Sequence, residues 1–328
     1  MMEKKYYYGI DWLRAMACIG IVMMHIISKA NNNYALSGFI AEKMIPSFTD
    51  FTFLLMTISA FGMCVGYYAK VKSGKVNWVD FYKKRYMKVL PFFAVVVLMD
   101  IVFNHDLTSI IEAIPNLTLT RGFFPNDIGQ IGVAWFLGLV FVFYAIFPLF
   151  CAMLNTKKSG WLFFLVSLLL NFVVARFYGM GRENIVYSLP FFVAGGLIYL
   201  YRDKVKNWQI YLPLAILSSV LYYLVGGNIY ACLLVSISFL LLAISIGGGY
   251  SGIVSFISGI SMEIYLSHMV VFRFVEKMGL NRMLGNGWLQ YFITVILVLV
   301  GAACFSVVVK KRIEMSEKKL VEKNDKEN

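Results

Sequence analysis

The sequence predicts an all-α polytopic membrane protein, a bundle of about ten transmembrane helices with both termini in the cytoplasm. Composition is the first reason: of 328 residues 60% are hydrophobic and 15% charged, against about 25% charged in a soluble domain. Recurrence is the second. Apolar runs of about twenty residues return along the whole chain, the length that crosses a hydrocarbon core of about 30 Å. The third is the placement of Lys and Arg, which sets the orientation.

The first expected span, 8–28, is followed by the polar "SKANNNY" with no small-residue cleavage site, so it is expected to stay in the membrane. The second is the Phe-rich 48–69. After it comes a basic connection, 70–88, carrying Lys70, Lys72, Lys75, Lys83, Lys84, Arg85 and Lys88. The third span, 89–104, is short and holds Asp100. The connection 105–131 has Arg121 alone against Asp106, Glu112 and Asp127. Spans four to ten are placed at 132–154, 161–178, 187–201, 209–226, 229–247, 253–272 and 288–309, with "GGGYSG" as the loop after the eighth. Lys157 and Lys158, then Arg202, Lys204 and Lys206, then Lys310, Lys311 and Arg312 fall on the same side as 70–88 in this scheme. The positive-inside rule makes that side cytoplasmic.

Residues 1–309 thus read as one membrane domain without internal repeats, and 310–328 as a charged cytoplasmic tail, frayed or loosely helical. The net charge of +12 is then mostly topology; its residues border spans and form no separate domain, which argues against nucleic-acid binding. All five cysteines lie inside apolar runs without metal-ligand spacing, so they read as small hydrophobes, and no metal site is expected.

Ionisable residues inside a span cost about 2.5–3.5 kcal/mol each at mid-bilayer, which makes Arg14 and His25 in the first span notable. They are eleven positions apart. At 100° per residue that is about 20° past three full turns, so both project from one face, about 16 Å apart along the axis. A cation low and an imidazole high suit a long donor whose anionic end stays cytoplasmic while its reactive end reaches into the membrane. Two plainer readings stand beside this one: Arg14 as an interfacial anchor pairing with Asp11, and His25 as a packing residue.

Six stretches, in order, resemble the acyltransferase-3 family of integral-membrane acyltransferases. "DWLRAMACIGIVMMH" has its Arg, ten residues, then His. "FTFLLMTISAFGM" matches at Ser59 and Phe61, with Ala60 where Gly is usual. In "FYKKRYMKVLP" Arg85 matches the first of two arginines, Lys88 stands for the second, and Pro91 follows. "AWFLGLVFVFYAIFP" matches through Trp135, Tyr144 and Pro148. "SLPFFVAGGLIY" and "ISGISMEIYLSH", ending in His268, resemble later helices.

The resemblance implies a multi-pass protein of the cell membrane, bacterial by that likeness. Its activity would be transfer of an acyl group, usually acetyl, from cytoplasmic acyl-CoA to a hydroxyl of an envelope or exported polysaccharide. Acetyl-CoA would be a donor substrate and no cofactor would be bound permanently. The acceptor would be a saccharide or lipid-linked glycan. Some members carry a fused esterase-like domain; here the membrane domain itself or a separate extracytoplasmic partner is expected to finish the transfer. His25 would be the general base, the commonest residue for taking a hydroxyl proton. Arg14, Arg85, Lys88 and Lys84 would hold the CoA phosphates, although Lys88 lacks the planar fork of an arginine. His268 either assists His25 or packs. His105 reads as a solvated loop residue. Glu263, Asp100, Arg176 and Arg273 are intramembrane candidates by default, and Trp135 and Tyr144 read as core or interfacial aromatics. A transporter, flippase or polymerase of lipid-linked glycans fits the same composition, as does a non-catalytic membrane subunit of an envelope-assembly complex.

Overall fold

A computed structural model describes residues 6–29, 34–104, 107–118, 120, 134–247, 249–285 and 287–327. Its helices, in chain order, are α1 (Tyr8–Lys29), α2 (Ile40–Lys72), α3 (Trp78–Asn104), α4 (Leu107–Leu117), α5 (Ala134–Met153) and α6 (Lys157–Tyr178). They continue with α7 (Ile185–Tyr201), α8 (Trp208–Leu224), α9 (Ile229–Ile246), α10 (Gly252–Gly259), α11 (Ser261–Lys277) and α12 (Trp288–Glu327). No strand occurs among the described residues. Eight of these segments are long and apolar enough to cross a membrane, α10 and α11 make a ninth bent by 71°, and α8 is a shorter apolar helix. Each of the ten expected spans therefore has its helix.

Three boundaries differ from the sequence expectation. The third span is not short: α3 runs 27 residues, so Arg85 and Lys88 stand on the helix instead of in a loop before it. Lysine and arginine lower hydropathy but are good helix formers, and only Pro91 interrupts the amide ladder. The ninth span is broken at Gly259–Ile260, where a residue without Cβ ends α10. The charged tail is not frayed: α12 continues for 40 residues, since no Gly or Pro follows Gly301 to stop it. His105, Asp106, Arg121 and Asp127 lie outside the described residues.

The first helix is the axis of the bundle, packed against α2, α9, α10, α11 and α12. Close approach needs small residues. A Cβ on Gly9 would run into the Ala243 carbonyl of α9, and one on Gly195 of α7 into the Thr57 carbonyl of α2. Backbone cannot yield as a side chain does, so Gly195→Ala is expected to lower stability by about 1–3 kcal/mol. Gly66→Ala, which meets open space, should be neutral. Thermal unfolding of the purified protein in detergent checks the pair; equal stability would refute the close packing. Outward faces of α6 and α8 expose Leu162, Leu165, Leu169, Ile216 and Leu217, apolar surface that suits lipid.

Contacts between distant segments sort into two ends. At one, Arg182 Nη1 donates to Thr49 Oγ1 at 2.6 Å, Tyr222 donates to Asp50 at 2.6 Å, and Arg273 pairs with Asp100 at 2.8 Å. At the other, Ser258 donates to Asp11 at 2.8 Å and Lys310 pairs with Glu263 at 2.9 Å. Arg14 belongs to the second end and His25 to the first, so α1 carries one candidate residue toward each.

Candidate functional site

At the His25 end, α1 and α11 bring two imidazoles together. His268 Nε2 lies 3.3 Å from His25 Nδ1, with ring centroids 5.0 Å apart, and His268 is fully buried. Partners assign the tautomers. His268 Nδ1 is 2.7 Å from the Tyr265 carbonyl and 3.3 Å from that of Ile264. A carbonyl only accepts, so this nitrogen carries the proton and Nε2 keeps its lone pair. His25 Nδ1 is 3.0 Å from the Ile21 carbonyl and faces that lone pair, so it carries a proton too. His25 Nε2 is left as an unprotonated acceptor. Arg182 and Lys29 are the cations whose field reaches His25. Arg182, from the connection between α6 and α7, also stacks on Trp135 of α5 at 5.1 Å.

The opposite end holds an excess of positive charge. Arg14 lies beside Gly62 of α2, where a Cβ would stand 3.6 Å from Nη2. The Arg85 guanidinium sits among Tyr67, Phe81 and Tyr144, 4.9, 5.5 and 5.4 Å from their ring centroids. Its Nε is buried without a hydrogen-bond partner. Lys88, one turn along α3, feels Arg14, Arg85, Lys310 and Glu263, and Tyr144 feels both arginines. Around Lys88 three other cations face one carboxylate, so positive charge is in excess there. Clustered like charges repel, and an anion would relieve them.

The anchor reading of Arg14 does not hold in its paired form. Asp11 is buried and both its oxygens are taken, Oδ1 by Ser258 and Oδ2 by Tyr6 at 2.6 Å. Tyr6 lies ahead of the first span, and its bond to that carboxylate pushes its pKa up to about 12. The structure brings Arg85 and Lys88 within electrostatic reach of Arg14, and His268 to His25; Lys84 and Lys88 are both exposed at the surface, and Arg85 is half-buried. Glu263 pairs with Lys310, Asp100 with Arg273, and Arg176 is exposed at the end of α6. Among the described residues no group of three metal-ligating side chains converges, and Cys18, Cys64, Cys151, Cys232 and Cys304 are free thiols. Sequence reasoning did not find Arg182 or the part of Lys310 in the cluster. Lys310 read as a topological charge, and "GMGRENIV" has nothing that marks its arginine.

A family profile described as an acyltransferase domain matches residues 7–307 of the chain. Neither the curated proteins nor the solved structures give a significant match.

Proposed function

The chain belongs to the acyltransferase-3 family of membrane acyltransferases, and from that premise we propose that it moves an acetyl group from cytoplasmic acetyl-CoA to a hydroxyl of an envelope or exported polysaccharide. Membership replaces the transporter and structural-subunit readings with an acyltransferase. One observation supports the finer reading: one end of α1 carries Arg14 among an excess of cations from α3 and α12 and, about three turns along the same face, an imidazole with an acceptor nitrogen.

In this mechanism Arg14, Arg85 and Lys88 hold the nucleotide phosphates of the donor, with the two guanidinium forks matching phosphate oxygens and Lys88 acting as a point charge. The pantetheine arm runs along α1 and brings the thioester to His25. His25 Nε2 takes the proton of the acceptor hydroxyl as its oxygen bonds to the thioester carbonyl carbon. The tetrahedral intermediate collapses with cleavage of the carbon–sulfur bond. The imidazolium then returns the proton to the departing thiolate, leaving an ester and free CoA. His268 is a positioning residue: its Nε2 accepts from His25 Nδ1–H and fixes which nitrogen faces the substrate.

The reading requires both termini in the cytoplasm of a bacterial plasma membrane. Cysteines introduced at Lys83 and Gly181 are expected to react with impermeant reagents from opposite sides, Gly181 from outside; labelling from one side would refute the orientation. The function itself is tested in a deletion strain. Its surface glycan should lack O-acetyl signals by NMR, and an unchanged spectrum would count against this acceptor class.

A further inference from the structure

A second face of α1 is built for a ligand. Trp12, Met16, Ile19 and Met23 line a groove of 760 Å³ whose other walls include Val235 and Phe239 of α9. At 100° per residue these α1 positions centre about 160° from Arg14 and His25, on the far side of the helix. At its upper end the groove meets the turn over Met44–Phe51. Ser47 and Asp50 face the groove there, bonded to Tyr223 at 2.9 Å and Tyr222 at 2.6 Å. Pro46 and Thr49 of the same turn line a separate cavity of 580 Å³ with mixed walls, where Arg182 and Glu42 are the charged groups. That cavity touches α1 at Ile27, Met24 and Ser28, which step round the helix from the groove side toward His25.

Resting on the acyltransferase reading, we propose that the groove holds the hydrocarbon anchor of a lipid-linked saccharide acceptor, with its phosphate and sugar in the cavity of Arg182 and Glu42. Four features favour this occupant. The groove is apolar and lies at membrane depth, which a free saccharide cannot use. It is on the wrong side of α1 for the donor, whose cations face the other way. Its end adjoins a cavity carrying a guanidinium, already bonded to Thr49, that matches a phosphate. Beyond the phosphate, Glu42 offers an acceptor for sugar hydroxyls, and Met24 and Ser28 of the lining stand about 100° and 60° round α1 from His25.

A polyisoprenyl phosphate bearing a diazirine in its chain tests the assignment on the full-length protein in nanodiscs. Photolabelling is expected on peptides containing Met16 or Val235. Unlabelled polyisoprenyl phosphate should compete, while equal dioleoyl phosphatidylglycerol or palmitoyl-CoA should not. Val235→Trp, which fills the groove, should cut labelling by about tenfold, a change of roughly 1.4 kcal/mol. Equal competition by phosphatidylglycerol would mean an ordinary bilayer lipid, and competition by palmitoyl-CoA the donor's chain; either overturns the proposal, as does labelling elsewhere. The competition arm uses wild-type protein, so misfolding of Val235→Trp leaves a decisive result. Acetyl-CoA binding in the same samples reports separately on the donor reading: its absence from wild-type protein overturns that reading while the labelling still decides the groove.

Discussion

His25→Ala is expected to remove acyl transfer by about 10²–10⁴-fold, the contribution of a well-placed general base. Acetyl-CoA binding and membrane insertion should be nearly unchanged, because the cations proposed to hold the donor sit at the other end of α1. Initial rates in membranes at matched protein abundance give the comparison. A packing role predicts the reverse, with His25→Gln tolerated and any loss following abundance. Near-normal transfer by the alanine variant would sink the mechanism. His268→Ala separates positioning from catalysis. It removes the acceptor behind His25 Nδ1–H, so kcat should fall with the KM for acetyl-CoA unchanged, and His268→Gln should restore part of it.

Arg14→Ala is expected to raise the KM for acetyl-CoA by about 10- to 100-fold, since a hydrogen bond to a charged group contributes about 1.5–3 kcal/mol. Arg14→Lys should recover little, because an ammonium lacks the guanidinium fork. Arg85→Ala should act in the same direction. Its guanidinium is already seated among Tyr67, Phe81 and Tyr144, so the empty place would be apolar. Competition with coenzyme A distinguishes lost binding from lost chemistry. An unchanged KM in both variants would remove the phosphate role from this end of α1.

The part of the site written on one helix was legible. Arg14 and His25 share a face because of the helical period alone, and their spacing follows from the rise per residue. What depended on register between helices was not legible. Asp11 is three positions from Arg14 yet bonds to Ser258, 247 residues away, because α10 ends against it. Lys310 looked like one more topological charge until α12 brought it to Glu263. Hydropathy also misplaced the start of α3, since Lys83, Lys84, Arg85 and Lys88 suit a helix while lowering the apolar average. The bend in the ninth span has the same origin: "ISGIS" reads as continuous by composition, and only the partners of Ser258 and Ser261 reveal that the chain turns there.

The uninterrupted last helix has a mechanical consequence. Forty residues make a rod of about 60 Å, twice the hydrocarbon thickness of about 30 Å. Eighteen of them, Lys310–Glu327, extend past the apolar stretch as a lever of about 27 Å. Its fulcrum is the Lys310–Glu263 ion pair, beside Lys88. A sideways force of modest size at the tip is therefore delivered as torque to Glu263 and so to α11, the helix that also carries His268.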